Sequence, residues 1–163
     1  MNNSTVHALL DECQRELASI DTHVGRLGMG NSMVPYLSKY GLMKACGVVE
    51  QAVKSVIADK CSFGTKPQVK NYLSAKVRNS STNPSYGKIC ELLKDFDADW
   101  NTQFKAAVKN HPHCDQIKTS LQSLVDARNE FAHGGNPRVS IADVVRYFSD
   151  ARQIVECVDT VIG

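Results

Sequence analysis

The chain has 163 residues, a length typical of one domain built around a single hydrophobic core. Its 42% hydrophobic and 22% charged residues are the balance of a globular protein and exclude an intrinsically disordered chain. The net charge of +2 comes from 19 basic and 17 acidic residues, which does not by itself indicate a nucleic-acid-binding protein. We therefore expect a single domain over residues 1–163, in which any nucleic-acid site is local.

The start of the chain lacks the basic stretch and apolar run of a secretion signal, and uninterrupted apolar segments are short throughout. We therefore expect neither export nor a membrane span, and we expect the protein to be cytoplasmic. Six cysteines are scattered without a CxxC pair, which is typical of reduced thiols that fill a core. We expect no metal site and no cofactor.

Hydrophobic residues recur at helical spacing along most of the chain. The first predicted helix carries its apolar residues three and four apart from Val6 to Leu27, and it ends at the glycine-containing segment 27–31. The second begins at about Pro35 or Tyr36 and runs to about residue 60. Because this second helix is apolar on most of its circumference, we expect it to be the central helix of the fold.

Shorter helices are expected in the middle of the chain. Thr65 can cap a helix over residues 66–78, and Asn83 followed by Pro84 is typical of the cap and first position of the next one. Another helix is expected at about 98–109, and a polar loop follows it. No segment in this region alternates convincingly with the period of two that is typical of a strand.

The C-terminal third predicts two longer helices. The first begins at about Asp115 and ends at Gly134, since glycine adopts the left-handed closing conformation at little cost. Ser140 then caps a last helix whose apolar residues keep a three-and-four spacing to Ile162. The predicted fold class is therefore all-α, a bundle of about five to seven helices.

Two charged residues occupy positions on these helices that ought to be apolar. At about 100° per residue, Arg128 lies about 20° from Ile117, in the middle of the apolar stripe of its helix. Glu50 continues the core-facing row of Met43 and Cys46 on the second helix. Charges are rarely buried alone, because their desolvation costs several kcal/mol. We therefore expect Arg128 and Glu50 to meet or to line a polar cleft, with a purely structural ion pair as the alternative.

Two further polar residues follow Arg128 at the end of its helix. Asn129 and His133 are four residues apart, so they share one helix face beside the arginine. The partial negative charge of a helix C-terminus favours a protonated imidazole, and an imidazole that titrates near neutrality is suited to proton transfer. Arg128, Asn129 and His133 are therefore the candidate catalytic residues.

This spacing resembles the motif of the HEPN superfamily, an all-α group whose active members carry Arg, a polar residue, and His after four to six intervening positions. The Ala-His-Gly ending, the capped C-terminal helix and the long apolar second helix are also similar to HEPN proteins, in particular to the group labelled RiboL-PSP-HEPN. The likeness spans residues 36–162. The HEPN branch that acts with a nucleotidyltransferase antitoxin carries a Tyr two residues after the His, where this chain has Gly135, so control through that tyrosine is not implied.

The resemblance implies a metal-independent endoribonuclease of the kind found in toxins and in antiviral or stress-response systems, with two protomers joining their motifs across a homodimer cleft. His133 would exchange protons with the ribose 2′-OH or the leaving 5′ oxygen, and Arg128 would donate to the phosphoryl oxygens. Asn129 would orient the imidazole or the phosphate. The implied partners are RNA, a second copy of the chain, and an antitoxin or other regulatory protein.

Other residues leave alternative interpretations open. Lys54, Arg138 and Arg146 could contact an RNA backbone, although such residues are equally typical of an ordinary solvated helix face. The His-Pro-His-Cys segment 111–114 has three zinc donors but no second pair, which favours a solvated loop. The alternative function is a catalytically silent HEPN module that binds RNA, a nucleotide or a partner protein.

Overall fold

The computed structural model describes residues 1–28 and 30–163, which form seven α-helices and one short π-helical segment and contain no strand. Met29, in the turn predicted after the first helix, lies outside the described residues. The predicted all-α bundle is therefore confirmed. The α-helices are α1 (Ser4–Leu27), α2 (Val34–Ser62), α3 (Pro67–Leu73), α4 (Tyr86–Phe96), α5 (Ala98–Lys109), α6 (Cys114–Ala132) and α7 (Ile141–Ile162).

Helix α2 occupies the centre of the bundle, as its apolar circumference predicts. It packs against α1, α6 and α7, and α7 in turn packs against α1, α5 and α6. Leu42, Val49 and Ile57 on α2 are wholly inaccessible to solvent within the continuous apolar core that these helices share. The π-helical segment Ser74–Arg78 continues α3, and both pack on the C-terminal half of α2.

The facing ends of α6 and α7 follow the signals in the sequence. Helix α6 ends at Ala132, and Gly134 adopts a φ of +84°, a left-handed conformation that favours glycine. Ser140 caps α7 in a capping box, in which its Oγ accepts the Asp143 N–H while the Asp143 carboxylate accepts the Ser140 N–H. Both predicted helix ends are confirmed, and together they fix the segment that connects the two helices.

Two predicted helix caps in the middle of the chain are wrong. The Thr65 hydroxyl donates to the last carbonyl of α2 at 3.1 Å, and α3 begins at Pro67 without a side-chain cap. Ser85, and not Asn83, caps α4, because the Ser85 hydroxyl accepts a backbone N–H of the first turn. Ser, Thr and Asn satisfy backbone groups in turns as readily as at helix starts, so their presence locates a helix end only to within a few residues.

Two expectations from composition concern the state of the cysteines and the absence of a membrane-spanning helix. All six cysteines are free thiols, of which Cys13, Cys46 and Cys90 are buried in the core and the others are half-buried. Among the described residues, no helix combines the length and the apolar character that crossing a membrane requires.

Candidate active site at the end of helix α6

Arg128 lies near the C-terminal end of α6, on the face that this helix directs toward the core. Leu121 and Leu124 on this face are fully buried, whereas Arg128 is half-buried. Its Nη1 donates to the Asn129 Oδ1 at 3.2 Å. None of the ion pairs in the described part of the chain includes Arg128. The guanidinium is therefore held by a neutral side chain and keeps its charge available for an anion.

His133 is the C-cap residue of α6 and directly follows the last helical residue, Ala132. Its backbone N–H donates to the Asn129 carbonyl at 3.0 Å, while its side chain is exposed to solvent. The left-handed Gly134 then turns the chain back, and the Gly135 N–H donates to the Glu130 carbonyl at 2.8 Å. The turn thereby leaves the imidazole at the open end of the helix, where a substrate can approach it.

The side chain of Asn129 is hydrogen-bonded to the guanidinium of Arg128 and, among the described residues, not to the imidazole of His133. Its Oδ1 accepts the hydrogen bond from Arg128, and no hydrogen bond joins its side chain to the imidazole of His133 in the described chain. A fixed acceptor restricts the rotamers of a long and otherwise flexible arginine. Asn129 is thus a positioning residue for Arg128, a role that adjacency in the sequence alone did not reveal.

The positive charge of Arg128 affects the pKa of the Cys46 thiol, on α2. Burial raises the pKa of Cys46 to about 11, the positive charge of Arg128 opposes this rise, and the negative charge of Glu50 adds to it. The guanidinium is therefore within electrostatic range of the row of α2 residues to which Cys46 and Glu50 belong.

Glu50 pairs with Lys54, one turn later on α2. The expected contact with Arg128 is therefore wrong, and the structural ion pair given as the alternative is confirmed. The Glu50 carboxylate also accepts the Thr82 N–H at 2.7 Å, and the Lys54 ammonium donates to the Ser80 carbonyl. This structural ion pair ties the segment before α4 to the central helix, and Glu50 also lines a polar cleft of about 400 Å³. A Glu four residues before a Lys on one helix is the signal that identifies such a pair.

Lys54 is not placed to contact RNA, contrary to the expectation from sequence. The residue is only 3% exposed, and its ammonium is occupied by Glu50 and a backbone carbonyl. A buried lysine needs such partners, because its desolvated charge is otherwise costly. The role of Lys54 is therefore to stabilise the fold.

Lys39 and Phe131, which sequence reasoning missed, connect the motif to the start of α2. The Lys39 Nζ lies 5.5 Å from the centre of the Phe131 ring, the range of a cation–π contact. Phe131 stands between Arg128 and His133 in the chain, so this contact brings the first turns of α2 to the end of α6. No local pattern in the sequence links two residues so far apart.

The two arginines predicted to contact RNA have different surroundings. Arg138 is exposed, belongs to none of the ion pairs of the described chain, and lines a cavity between α1, α2 and the start of α7. Arg146 donates to the Asp143 carboxylate at 2.8 Å and lies 5.1 Å from the centre of the Tyr147 ring. Arg146 is thus occupied on its own helix, whereas Arg138 remains available to an anion.

The histidines before α6 form a turn. The His111 Nδ1 accepts the His113 N–H at 3.2 Å, and Cys114 is the first residue of α6. The residues that the structure describes contain no cluster of three or more His, Cys, Asp or Glu side chains suited to holding a metal ion.

Comparison with models of protein families gives a match over most of the chain. The model of the RiboL-PSP-HEPN family matches residues 9–163, which include most of α1 and all of α2 to α7. No curated protein and no solved structure matches the chain. The matched region contains Arg128, Asn129 and His133, so the candidate site lies inside the family domain.

Proposed function

Because the chain belongs to the RiboL-PSP-HEPN family, we propose that it is an endoribonuclease that needs no metal. The observation that carries this proposal is the environment of Arg128, a half-buried guanidinium held by Asn129 without an acidic partner in the described chain. An unpaired guanidinium presents an array of donors that suits a phosphate group. His133 adds an exposed imidazole at the same end of α6.

The proposed reaction needs a base, an acid and a group that stabilises negative charge. A neutral imidazole removes the proton of the ribose 2′-OH while the 2′ oxygen bonds to phosphorus, and an imidazolium protonates the 5′ oxygen while its bond to phosphorus breaks. Arg128 donates to the nonbridging oxygens, on which negative charge accumulates. The products are a 2′,3′-cyclic phosphate and a 5′-OH, and DNA is not cleaved because it has no 2′-OH.

The acid and the base are two different imidazoles, whereas each chain contributes one His133, so the active form we propose is a homodimer. An exposed row on α2 supports this, in which Tyr36, Tyr40 and Met43 are 67%, 52% and 37% exposed. Spacings of four and three place these residues on one helix face. The sequence pattern places Met43 in a core-facing row, and for this residue that prediction is wrong. Met43 also neighbours Cys46, whose pKa responds to the charge of Arg128. A second copy that covers this row would place the two motifs beside each other.

The activity is tested by incubating the purified protein with a structured RNA in EDTA. We expect cleavage to 2′,3′-cyclic phosphate and 5′-OH ends, and a loss of about 10²-fold or more in His133→Ala and Arg128→Ala. His113→Ala is the matched control, since this exposed histidine lies about 30 Å away at the opposite end of α6. Equal cleavage by wild type and both site variants would contradict the proposal, because it would reveal a contaminating nuclease.

The biological role we propose is that of a toxin or of an antiviral or stress-response nuclease in the cytoplasm, restrained by an antitoxin or another regulatory protein. Expression of the wild-type chain should then inhibit growth, and His133→Ala and Arg128→Ala should relieve the inhibition. RNA binding without cleavage would instead identify a catalytically silent module.

A further inference from the structure

A cavity of about 540 Å³ lies between the end of α1, the start of α2 and the segment 136–142 that leads into α7. Its lining includes the buried apolar residues Val24, Val34 and Ile141. Apolar cavities of this size with a few polar groups at their margin are typical of sites for small organic groups. The volume is sufficient for a nucleobase with its ribose.

Six polar residues also line this cavity, and four of them bear on what it can bind. Ser38 is 5% exposed, and Asp21, Lys39 and Arg138 carry charges. None of these three charged residues takes part in an ion pair of the described chain. The ammonium of Lys39 instead lies over the Phe131 ring. Two cations that form no ion pair in the described chain therefore border a mainly apolar cavity, an arrangement that complements a ligand with a flat apolar part and an anionic part.

We propose that this cavity binds one nucleotide, with the base on the apolar lining and the phosphate at Lys39 and Arg138. The Ser38 hydroxyl and the Asp21 carboxylate then provide polar partners for the base edge or for a ribose hydroxyl. Asp21 also disfavours a ligand that would place its phosphate at the α1 side of the cavity. The ligand is thus oriented, with its anionic end toward the two cations.

The position of the cavity gives the bound nucleotide a role in the proposed cleavage reaction, on which this part of the inference rests. Lys39 borders the cavity and also contacts Phe131, which stands between Arg128 and His133 in the motif. A nucleotide held here would therefore be a neighbour of the phosphate at Arg128. The cavity would select which base lies next to the cleaved bond.

Binding can be measured apart from cleavage with a 2′-O-methyl RNA oligonucleotide, which has no attacking hydroxyl, and with the four nucleoside monophosphates in EDTA. Titration calorimetry should give saturable binding that weakens about tenfold in Arg138→Ala, the loss of one charge-assisted contact. Ser38→Leu, which fills the cavity, should weaken binding by at least about as much. Arg15→Ala is the matched control, because Arg15 is an exposed arginine outside the cavity lining.

The outcomes separate this inference from the proposed nuclease. Loss of binding in Arg138→Ala and Ser38→Leu supports the inference even if the protein cleaves no RNA. Equal affinities for a monophosphate and for the oligonucleotide would identify the ligand as a free nucleotide. Tighter binding of the oligonucleotide would identify it as part of an RNA strand. No binding, or binding that neither Arg138→Ala nor Ser38→Leu changes, overturns the inference whether or not the protein cleaves RNA.

Discussion

Arg128 can be identified from the sequence because its neighbours on the same helix face are apolar. Glu50 stands out for the same reason, but its partner is Lys54 on its own helix and not Arg128. A sequence shows that a charge needs a partner without showing which one, since the choice depends on the packing of distant segments. Glu50 and Lys54 are four residues apart on one helix, a spacing that permits an ion pair without any distant segment, and this is the pair that forms.

Asn129 contributes to the site through the guanidinium that it holds, which gives a prediction for a single residue. Asn129→Ala removes the acceptor for Arg128 at 3.2 Å, so we expect the cleavage rate to fall by about tenfold, with the folded state unaffected. Asn129→Asp keeps an acceptor oxygen but adds a negative charge that competes with the phosphate for the guanidinium. Steady-state kinetics should therefore show a larger rise in KM for Asn129→Asp than for Asn129→Ala, and unchanged kinetics in both variants would exclude the positioning role.

At the scale of the helices, the sequence predicts where apolar faces lie better than where helices begin. The long helices carry many periodic residues, so α1, α2, α6 and α7 lie where the pattern places them. The caps at Thr65 and Asn83 are wrong because one or two polar residues decide them, and neighbouring turns compete for the same hydroxyl or amide. The π-helical segment that follows α3 has no signal in the hydrophobic pattern.

The two glycines inside α2 offer a matched test of helix packing. A Cβ on Gly41 would lie 2.6 Å from the Ile141 side chain and 3.3 Å from the Leu17 side chain, at the contact of α1, α2 and α7. A Cβ on Gly47 would meet nothing within 4 Å. Overpacking at Gly41 costs about 1–3 kcal/mol, although the terminal methyl groups of Ile141 and Leu17 can shift in part. The higher helix propensity of alanine offsets about 0.5–1 kcal/mol of this cost, so we expect Gly41→Ala to lower the free energy of unfolding by about 0.5–2 kcal/mol.

Gly47→Ala should raise the same free energy of unfolding by about 0.5–1 kcal/mol, because alanine has the higher helix propensity. Urea denaturation of both variants beside the wild type measures the difference. Equal effects in the two variants would mean that the close approach at Gly41 does not constrain the bundle.

The capping box of α7 predicts a stability that depends on pH. The hydrogen bond from the Ser140 hydroxyl holds the pKa of Asp143 below its ordinary value of 3.8, against the opposing effect of partial burial. A carboxylate with a lowered pKa in the folded state stabilises the fold above its unfolded pKa, and that contribution is lost as the pH falls through the folded pKa. Ser140→Ala should therefore destabilise the protein by about 1 kcal/mol at neutral pH and by less below pH 3.8.

The comparison of Ser140→Ala with Ser140→Thr separates the cap from other effects of the substitution. Threonine keeps the hydroxyl and should retain most of the stability, whereas alanine removes it. Urea titrations at neutral and acidic pH measure how far the free energy of unfolding of each variant differs from that of the wild type. If the loss of unfolding free energy in Ser140→Ala grew as the pH falls, the lowered pKa of Asp143 could not be assigned to its hydrogen bond with the Ser140 hydroxyl.

At the scale of the whole molecule, the site is assembled from segments that the sequence keeps apart. The motif itself lies within α6 and is readable as a local pattern. The contact between Lys39 and Phe131, and the cavity beside Arg138, require the first turns of α2 to meet the end of α6 and the start of α7. Helical period specifies which faces are buried, but it does not specify which ends of the helices adjoin.

The proposed two-chain site makes activity depend on association. If each copy provides one imidazole, the specific activity of the wild type should fall on dilution in step with the fraction of dimer measured by sedimentation. Met43→Glu should shift the equilibrium to monomer and reduce cleavage, because a dimer that covers the exposed row of α2 would have to bury the new charge without a partner. The monomer itself should remain folded, since Met43 is 37% exposed.

Val69→Glu is the matched control for that experiment, because Val69 is 43% exposed on α3, away from the row formed by Tyr36, Tyr40 and Met43. It adds the same charge and should change neither the sedimentation nor the cleavage rate. A Met43→Glu protein that stays dimeric would place the interface on another face while leaving the two-chain site intact. A monomer, whether wild type or variant, that cleaves RNA as fast per chain as the dimer would refute that site, since one His133 would then suffice for both proton transfers.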